Sequence, residues 1–193
     1  AVVRVIRFGL PTAEEAHIPP EVMRAAQMKK GIVLVTGSAG SGKSTTLACI
    51  INEINRTRTG HILTLEDPVE YIHRHDKCIV SQREIGCDCP SYVAALRSAL
   101  RESPDVILLG EMRDKETMEV AMTAAETGQL LLSSLHTTGA ANTIDRIIDA
   151  FPPNQQAQIR LQLSMVLQAV ISQQLVPGVD GTPIPVFEIM YST

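Results

Sequence analysis

The sequence lacks two features that would place it in other classes of protein. Although 45% of its 193 residues are hydrophobic, no apolar run approaches the roughly 18 to 20 residues that a membrane-spanning helix needs. It has no basic excess, since the formal net charge is −4, and this argues against nucleic acid as a partner because nucleic-acid-binding surfaces are usually positive. The length predicts one domain that is large enough to bury a real core.

Cysteine is scarce, and its spacing does not favour a metal site. Only one residue separates Cys87 from Cys89, whereas zinc sites use wider pairs, often followed by histidines. Cys49 falls on the apolar side of a predicted helix and is expected in the core. A reduced, cytosolic protein is expected. Residues 1–7 alternate as a strand does rather than as a signal peptide, and the absence of an initial Met suggests part of a longer chain.

Residues 37–44, Gly-Ser-Ala-Gly-Ser-Gly-Lys-Ser, match the pattern G-x-x-x-x-G-K-[ST]. A β-branched apolar run at 32–36 predicts a buried strand before the loop, and apolar residues after it predict a helix. In this context backbone N–H groups and the helix N-terminus surround phosphate groups. We therefore predict a nucleoside triphosphate and Mg²⁺, with Lys43 at the β- and γ-phosphates and the Ser44 hydroxyl on the metal. The residues expected to bind the nucleotide are Ser38, Gly40, Ser41, Gly42, Lys43, Ser44 and Thr45.

The rest of the chain alternates between strand and helix patterns, which indicates an α/β fold with a mostly parallel sheet and flanking helices. The predicted strands lie at 62–66, 106–110 and 130–135, and a turn at 177–181 is expected between two late strands. The predicted helices lie at 90–101, 115–127, 140–150 and 154–173.

Polar residues follow three of these strands. In a parallel sheet the carboxyl ends of the strands meet at one edge, where the ligand crevice forms. We therefore expect the three polar clusters to lie beside the glycine-rich loop at 37–44, which we call the phosphate loop. They are Glu66, Asp67 and Glu70, then Glu111, Arg113 and Asp114, then His136 and Thr137.

Glu111 is the predicted general base, since an apolar strand delivers its carboxylate to the triphosphate site. The alternative is an N-terminal charge on the next helix, favoured by the helix dipole. This strand lacks the aspartate that usually helps to hold Mg²⁺, and Asp105 lies at its opposite end. Either Glu111 acts as the base and also helps to hold Mg²⁺ through water, or Glu70 helps to hold the ion from the neighbouring strand. Glu70 could instead belong to an ordinary acidic turn, and His136 could be structural.

Together these motifs resemble the secretion ATPases of type IV pili and type II secretion. Residues 37–44 resemble their Walker A motif and 64–70 their Asp box. Residues 108–114 resemble their atypical Walker B motif, which also lacks the aspartate, and 128–138 resemble their His box. The resemblance implies a RecA-like P-loop domain in which Glu111 is the catalytic base, Glu70 assists, and His136 senses or contacts the nucleotide.

Within this family the PilT-like pilus-retraction branch fits best, on the segments 123–128, 143–149 and 168–175. The assembly and type II branches generally carry a four-cysteine zinc element late in the chain, and here no cysteine follows Cys89. The resemblance implies a linker, or the end of an N-terminal domain, at 1–20. The motor domain would occupy 21–193, without the family's helical tail.

The resemblance further implies an ATP-hydrolysing ring of six subunits that drives pilus retraction, and hence twitching motility, through an inner-membrane platform protein. Such a motor would be cytoplasmic, would reach the membrane only through partners, and would not bind nucleic acid. A neighbouring subunit or domain would supply positive charge to the site. The alternatives are a pilus-assembly or secretion ATPase, and an ATP-dependent interaction module with negligible turnover. Candidate arginines, each of which could also be an ion-paired surface residue, are Arg83, Arg97, Arg101 and Arg113.

Overall fold

The computed structural model describes residues 9–179 and 181–192, so the predicted strand at 1–7 lies outside the described residues. Seven strands form one sheet in the order β3-β2-β4-β5-β1-β6-β7. All neighbouring pairs are parallel except β6 and β7, which are antiparallel. The strands are β1 (Gly31–Thr36), β2 (Gly60–Glu66), β3 (Cys78–Glu84), β4 (Val106–Leu109), β5 (Leu130–Leu135), β6 (Leu167–Pro177) and β7 (Pro183–Tyr191).

The helices cover both faces of the sheet, which confirms the predicted α/β architecture. Two apolar clusters fill the space between the helices and the sheet, one on each face. The central strands β1, β4 and β5 are buried along their whole length, as expected for parallel strands covered on both sides. The helices are α1 (Pro20–Met23) with a 3₁₀ turn (Arg24–Gln27), α2 (Lys43–Thr57), α3 (Tyr92–Ala99), α4 (Lys115–Glu126), α5 (Ala140–Asp149) and α6 (Pro153–Val166).

The predicted helix at 154–173 is wrong over its last seven residues. The helix α6 ends at Val166, and Leu167 begins the strand β6, which runs parallel to β1. Apolar residues recur at helical spacing through this stretch, yet the slot beside β1 takes residues 167–173 as a nearly continuous buried strand. Burial against the sheet therefore overrides the local pattern. The predicted turn after residue 177 does connect β6 to β7.

The edge strand β3 was not predicted, because it is polar and half-buried. One buried side chain, Asn55 of α2, fixes the chain that leads into it. The Asn55 amide group donates to the carbonyl oxygen of Arg74, and its oxygen accepts from the backbone N–H groups of Asp76 and Cys78. Packing against α2 therefore positions this edge of the sheet.

The residues before β1 pack against α2 and the adjoining face of the sheet. Ile18 and Val22 are buried in the apolar cluster on that face. Cys49 is also buried there, as predicted, and its thiol donates to the carbonyl oxygen of Pro11. In the part of the chain that the structure describes, no helix is both long enough and apolar enough to cross a membrane.

Candidate nucleotide site

The carboxyl ends of β1, β2, β4 and β5 meet in one cleft of about 250 Å³. The predicted loop and all three predicted polar clusters contribute to its lining, so the sheet brings together what the sequence separates by up to a hundred residues. The lining includes Gly40, Lys43, Ser44, Glu66, Asp67, Glu70, Glu111, Arg113 and His136.

Lys43 is the first residue of α2 and is buried. Its ammonium group donates to the carbonyl oxygens of Gly37 (3.0 Å) and Ser38 (2.7 Å). Burial lowers the pKa of Lys43, and the negative charges of Glu111 and Glu70 oppose that shift. The lysine is therefore a partly dehydrated cation, and its burial strengthens its attraction for a bound anion, which the two carboxylates partly offset.

The loop residues differ in where the fold places them. Ser38 and Gly40 are exposed, as is Ser44 on the first turn of α2, so their polar groups are open to a ligand. Ser41 is buried, and its hydroxyl has no hydrogen-bond partner among the described residues. The Thr45 hydroxyl instead lies 2.8 Å from the Tyr71 hydroxyl, which joins α2 to the segment after β2.

Glu111 follows β4 and is buried at the floor of the cleft. The Arg113 guanidinium donates to one of its carboxylate oxygens, and the other oxygen lies 3.6 Å from Nε2 of His136. The Ser134 hydroxyl donates to the carbonyl oxygen of Gly110 (2.7 Å), which ties the end of β4 to β5. The two strands therefore hold the carboxylate of Glu111 beside the imidazole of His136.

The acidic segment after β2 contributes a second set of oxygens. The Glu66 carboxylate is a weak acceptor from the Gln82 side chain (3.4 Å), and burial raises the pKa of Glu66. The Glu84 carboxylate accepts from the backbone N–H of Val69, which anchors the following turn to β3. Glu70 lines the cleft and acts electrostatically on Lys43 and Glu66.

Several candidate residues have structural partners instead of facing the cleft. Asp114 caps α4 by accepting from the backbone N–H and hydroxyl of Thr117. Asp105 lies at the far end of β4, where it accepts from the backbone N–H of His61 (2.8 Å). Thr137 shares a hydrogen bond with the Thr143 hydroxyl.

Among the candidate arginines, two have carboxylate partners outside the cleft and one lines it. Arg83 pairs with Glu102, and Arg97 pairs with Glu116 on the surface. Arg113 lines the cleft.

Sequence reasoning missed two residues that shape the site. Tyr92 of α3 lines the cleft, and burial together with nearby carboxylates raises the pKa of its hydroxyl. Gln173 of β6 lies buried beneath the phosphate loop, where its side-chain oxygen accepts from the Thr46 hydroxyl (2.7 Å). The sequence gives no signal for Gln173 at this position, because the apolar spacing around it predicts a helix and not the strand β6.

The strands β6 and β7 also hold the segment that follows His136. The Ser172 hydroxyl accepts from the backbone N–H of Gly139 (2.8 Å), and the Glu188 carboxylate accepts from that of Ala140 (2.9 Å). Ser172 and Glu188 are themselves partners in the β6–β7 ladder. The first turn of α5 is thus fixed to the end of the sheet.

A glycine loop between a buried parallel strand and a helix, with acidic residues at the neighbouring strand ends, defines a RecA-like P-loop domain. The chain belongs to the family of type II/IV secretion system proteins, whose model matches residues 10–182.

Two relatives and one solved structure illustrate the similarity. The chain is 50% identical over 193 residues to the type IV pilus retraction ATPase PilT of Pseudomonas aeruginosa, covering 100% of this chain and 56% of that protein. It is 52% identical over 181 residues to a twitching motility protein of Neisseria gonorrhoeae, covering 94% and 48% respectively. The crystal structure of the pilus retraction motor PilT with bound ADP matches with a TM-score of 0.95 at 49% identity, covering 98% of this chain and 55% of that one. The chain thus spans about half the length of these relatives.

Proposed function

We propose that this domain binds and hydrolyses Mg·ATP, with Glu111 as the base that activates the attacking water. The observation that carries the proposal is the placement of a buried carboxylate, Glu111, in the same cleft as the buried Lys43. A general base must lie within reach of a water molecule near the γ-phosphate. The bond from Arg113 and the nearby imidazole of His136 orient that carboxylate at the cleft floor.

The phosphates bind to the loop and the first turn of α2. Backbone N–H groups there point toward an anion, and the start of the helix carries partial positive charge. Lys43 turns from the loop carbonyl oxygens to the β- and γ-phosphates and offsets the charge that develops during transfer. The remaining binding residues are Ser38, Gly40, Ser41, Gly42, Ser44 and Thr45.

The oxygen donors of the cleft fit Mg²⁺. This ion prefers hard oxygen ligands and is usually held by one or two side chains together with phosphate oxygens and water. The exposed hydroxyl of Ser44 lines the cleft with the carboxylate of Glu70, so Ser44 would hold the ion directly and Glu70 through water. When bound, the ion neutralises part of the phosphate charge. Glu66 is less suited to this role, because burial raises its pKa.

The proton of the attacking water passes to the Glu111 carboxylate as the oxygen approaches the γ-phosphate. His136 lies on the same side of the cleft, exposed and 3.6 Å from Glu111. In the proposed mechanism it contacts the γ-phosphate region and reports the state of the nucleotide to α5. Glu70 supports the reaction from the segment after β2, which also lines the cleft.

At the level of the whole machine, we propose a hexameric motor for type IV pilus retraction. Its motor domain would cover 21–193 after a linker that ends at 20. The support is the likeness to a pilus retraction ATPase and to a twitching motility protein. The motor would act from the cytoplasm on a platform protein of the inner membrane, and neighbouring subunits would complete each site.

Replacement of Glu111 by glutamine tests the chemistry. Glu111→Gln keeps the size of the side chain but removes the base, so phosphate release should fall by about 10²- to 10⁴-fold, with ATP affinity nearly unchanged. Glu116→Gln, which alters an ion-paired surface carboxylate of α4, is the matched control and should retain full activity. Unchanged turnover in Glu111→Gln would remove this residue from the reaction. ATP binding without turnover in both the wild-type protein and the variant would favour an interaction module.

The assembly and the direction of force need separate measurements. Specific activity that rises with protein concentration would support a site shared between subunits, and a flat profile would argue against it. In cells that lack their own retraction ATPase, the gene should restore twitching and reduce surface pili. Restored pilus formation in cells that lack an assembly ATPase would instead indicate an assembly motor.

A further inference from the structure

Gln173 contacts the phosphate loop at two points and helix α2 at a third, although it lies on a strand far from both in sequence. Its side chain is only 3% exposed. Its amide oxygen accepts from the hydroxyl of Thr46, which is fully buried on the first turns of α2. Its amide nitrogen faces Gly42, and its backbone carbonyl oxygen faces Gly37.

These contacts explain why the first and last of these loop positions are glycines. A Cβ built on Gly37 would lie 2.2 Å from the carbonyl oxygen of Gln173, and one built on Gly42 would lie 2.8 Å from its amide nitrogen. Both distances are far below van der Waals contact. The same test at Gly40 meets open space. Gln173 therefore contacts the loop at its two ends, whereas Gly40 in the middle is open.

We propose that Gln173 is a positioning residue for the phosphate-binding loop. It holds the start of α2 through Thr46 and supports both ends of the loop from beneath, so that the backbone N–H groups stay directed at the phosphates. This rests on the proposed nucleotide-binding function. Gln173 does not line the cleft, so its effect passes through the loop and not through contact with the nucleotide.

The affinity for Mg·ATP tests the proposal. Gln173→Leu preserves volume but leaves the buried Thr46 hydroxyl without its acceptor, and we expect about tenfold weaker binding by calorimetric titration. If the loop binds phosphate equally in the ground and transition states, the KM of the variant should rise in proportion to its loss of affinity. Its kcat should stay within about threefold of wild type. Gln174→Leu, the exposed neighbour on β6, is the control and should bind ATP like wild type.

Substitution of Thr46 tests the same contact from the side of α2, without altering β6. Thr46→Val removes the hydroxyl and should reproduce the loss of affinity, whereas Thr46→Ser retains it and should bind like wild type. In the double variant with Gln173→Leu, the loss should be no larger than in Gln173→Leu alone, because the Thr46 hydroxyl then has no acceptor left to lose. Independent losses in the double variant, or wild-type affinity in Gln173→Leu, would overturn the proposal. If Gln173→Leu does not fold, the contrast between Thr46→Val and Thr46→Ser decides.

Amide hydrogen exchange measured without nucleotide separates this inference from the proposed function. Gln173→Leu should speed exchange by at least about tenfold at the N–H groups of Ser41 and Thr46, which donate to the carbonyl oxygens of Ser38 and Gly42, because the loop loses its support. Exchange in the distant helix α4 should not change. If wild-type protein bound no ATP, the proposed function would fail, yet the exchange result would still support or contradict the positioning role of Gln173.

Discussion

Arg113 donates to the carboxylate of Glu111 from a very different environment, since the arginine side chain is 71% exposed and that of Glu111 only 11%. The hydrogen bond and the charge of Glu111 raise the pKa of Arg113. A buried candidate base is thus held by a cation at the mouth of the cleft. Such a pair is open to screening by salt and to competition from a bound anion.

We therefore expect Arg113→Ala to lower kcat without weakening nucleotide binding. Loss of an exposed ion pair that orients the base corresponds to at most about 1 kcal/mol, or about a fivefold slower rate. ATP affinity should change by less than about twofold, because the arginine bonds Glu111 and not the phosphate loop. Steady-state phosphate release and calorimetry measure the two effects. A larger loss of affinity than of rate would instead indicate that Arg113 binds phosphate directly.

Arg97→Ala is the matched control for this experiment. Arg97 also forms an exposed ion pair, with Glu116, but it does not line the cleft. Its removal should leave both kcat and affinity unchanged. Added salt should slow wild-type turnover more than that of Arg113→Ala, since the variant has no such pair left to screen.

His73 makes the protein less stable in mild acid. It is 7% exposed, its Nδ1 has no hydrogen-bond partner among the described residues, and burial lowers its pKa to about 4. An unfolded histidine has a pKa of about 6.5, so between these values the unfolded state binds the extra proton. The free energy of unfolding should fall by up to about 3 kcal/mol as the pH drops from above 6.5 to 4. Urea unfolding at several pH values measures it.

Substitution of His73 by a residue without this titration should flatten the pH dependence. We expect His73→Gln to be less stable than wild type near pH 7.5, but to lose less stability on acidification. His17→Asn, at an exposed histidine, should leave the pH dependence as in wild type. An equally steep loss in His73→Gln would show that other groups cause it.

The sequence predicts the central sheet and most of the site because their signals are local. The strands β1, β4 and β5 are buried, uncharged and mostly apolar, and residues of the cleft follow each of them within a few positions. Once the strands are parallel, Lys43, Glu111 and His136 must lie at one edge of the sheet. Their convergence therefore required no knowledge of tertiary contacts.

What the sequence could not predict depends on contacts between distant segments. At Val166 and Leu167 the chain changes from helix to strand without glycine or proline, and only the open position beside β1 decides between them. The position of Gln173 beneath the loop follows from that strand. The edge strand β3 has a mixed pattern, and its approach depends on a single residue of α2, Asn55.

Asn55 should accordingly be among the polar residues most sensitive to substitution. Asn55→Ala removes three hydrogen bonds and leaves the backbone N–H of Cys78, in a buried residue, without its partner. We expect a loss of about 3 kcal/mol in the free energy of unfolding, since each buried group left unpaired costs about 1–3 kcal/mol. Urea denaturation measures it. Asn52→Ala, one turn earlier on the same helix, should cost less than about 0.5 kcal/mol, and equal losses would contradict the role assigned to Asn55.

The four cysteines should differ sharply in how fast they react with an aromatic disulfide reagent. Cys87 is exposed and Cys89 half-exposed, whereas Cys49 and Cys78 are buried, and burial raises the pKa of Cys49 to about 11. Two thiols should therefore react in the folded protein, and all four in denaturant.

Cys87 itself should react slowly for an exposed thiol. The hydrogen bond to the Glu84 carboxylate, and the charge of that carboxylate, raise the pKa of Cys87, and only the thiolate attacks the reagent. Glu84→Gln keeps an acceptor oxygen for the Val69 N–H but removes the charge, so labelling of Cys87 should accelerate near neutral pH. An unchanged rate would show that access to the sulfur, and not the Glu84 charge, limits the reaction.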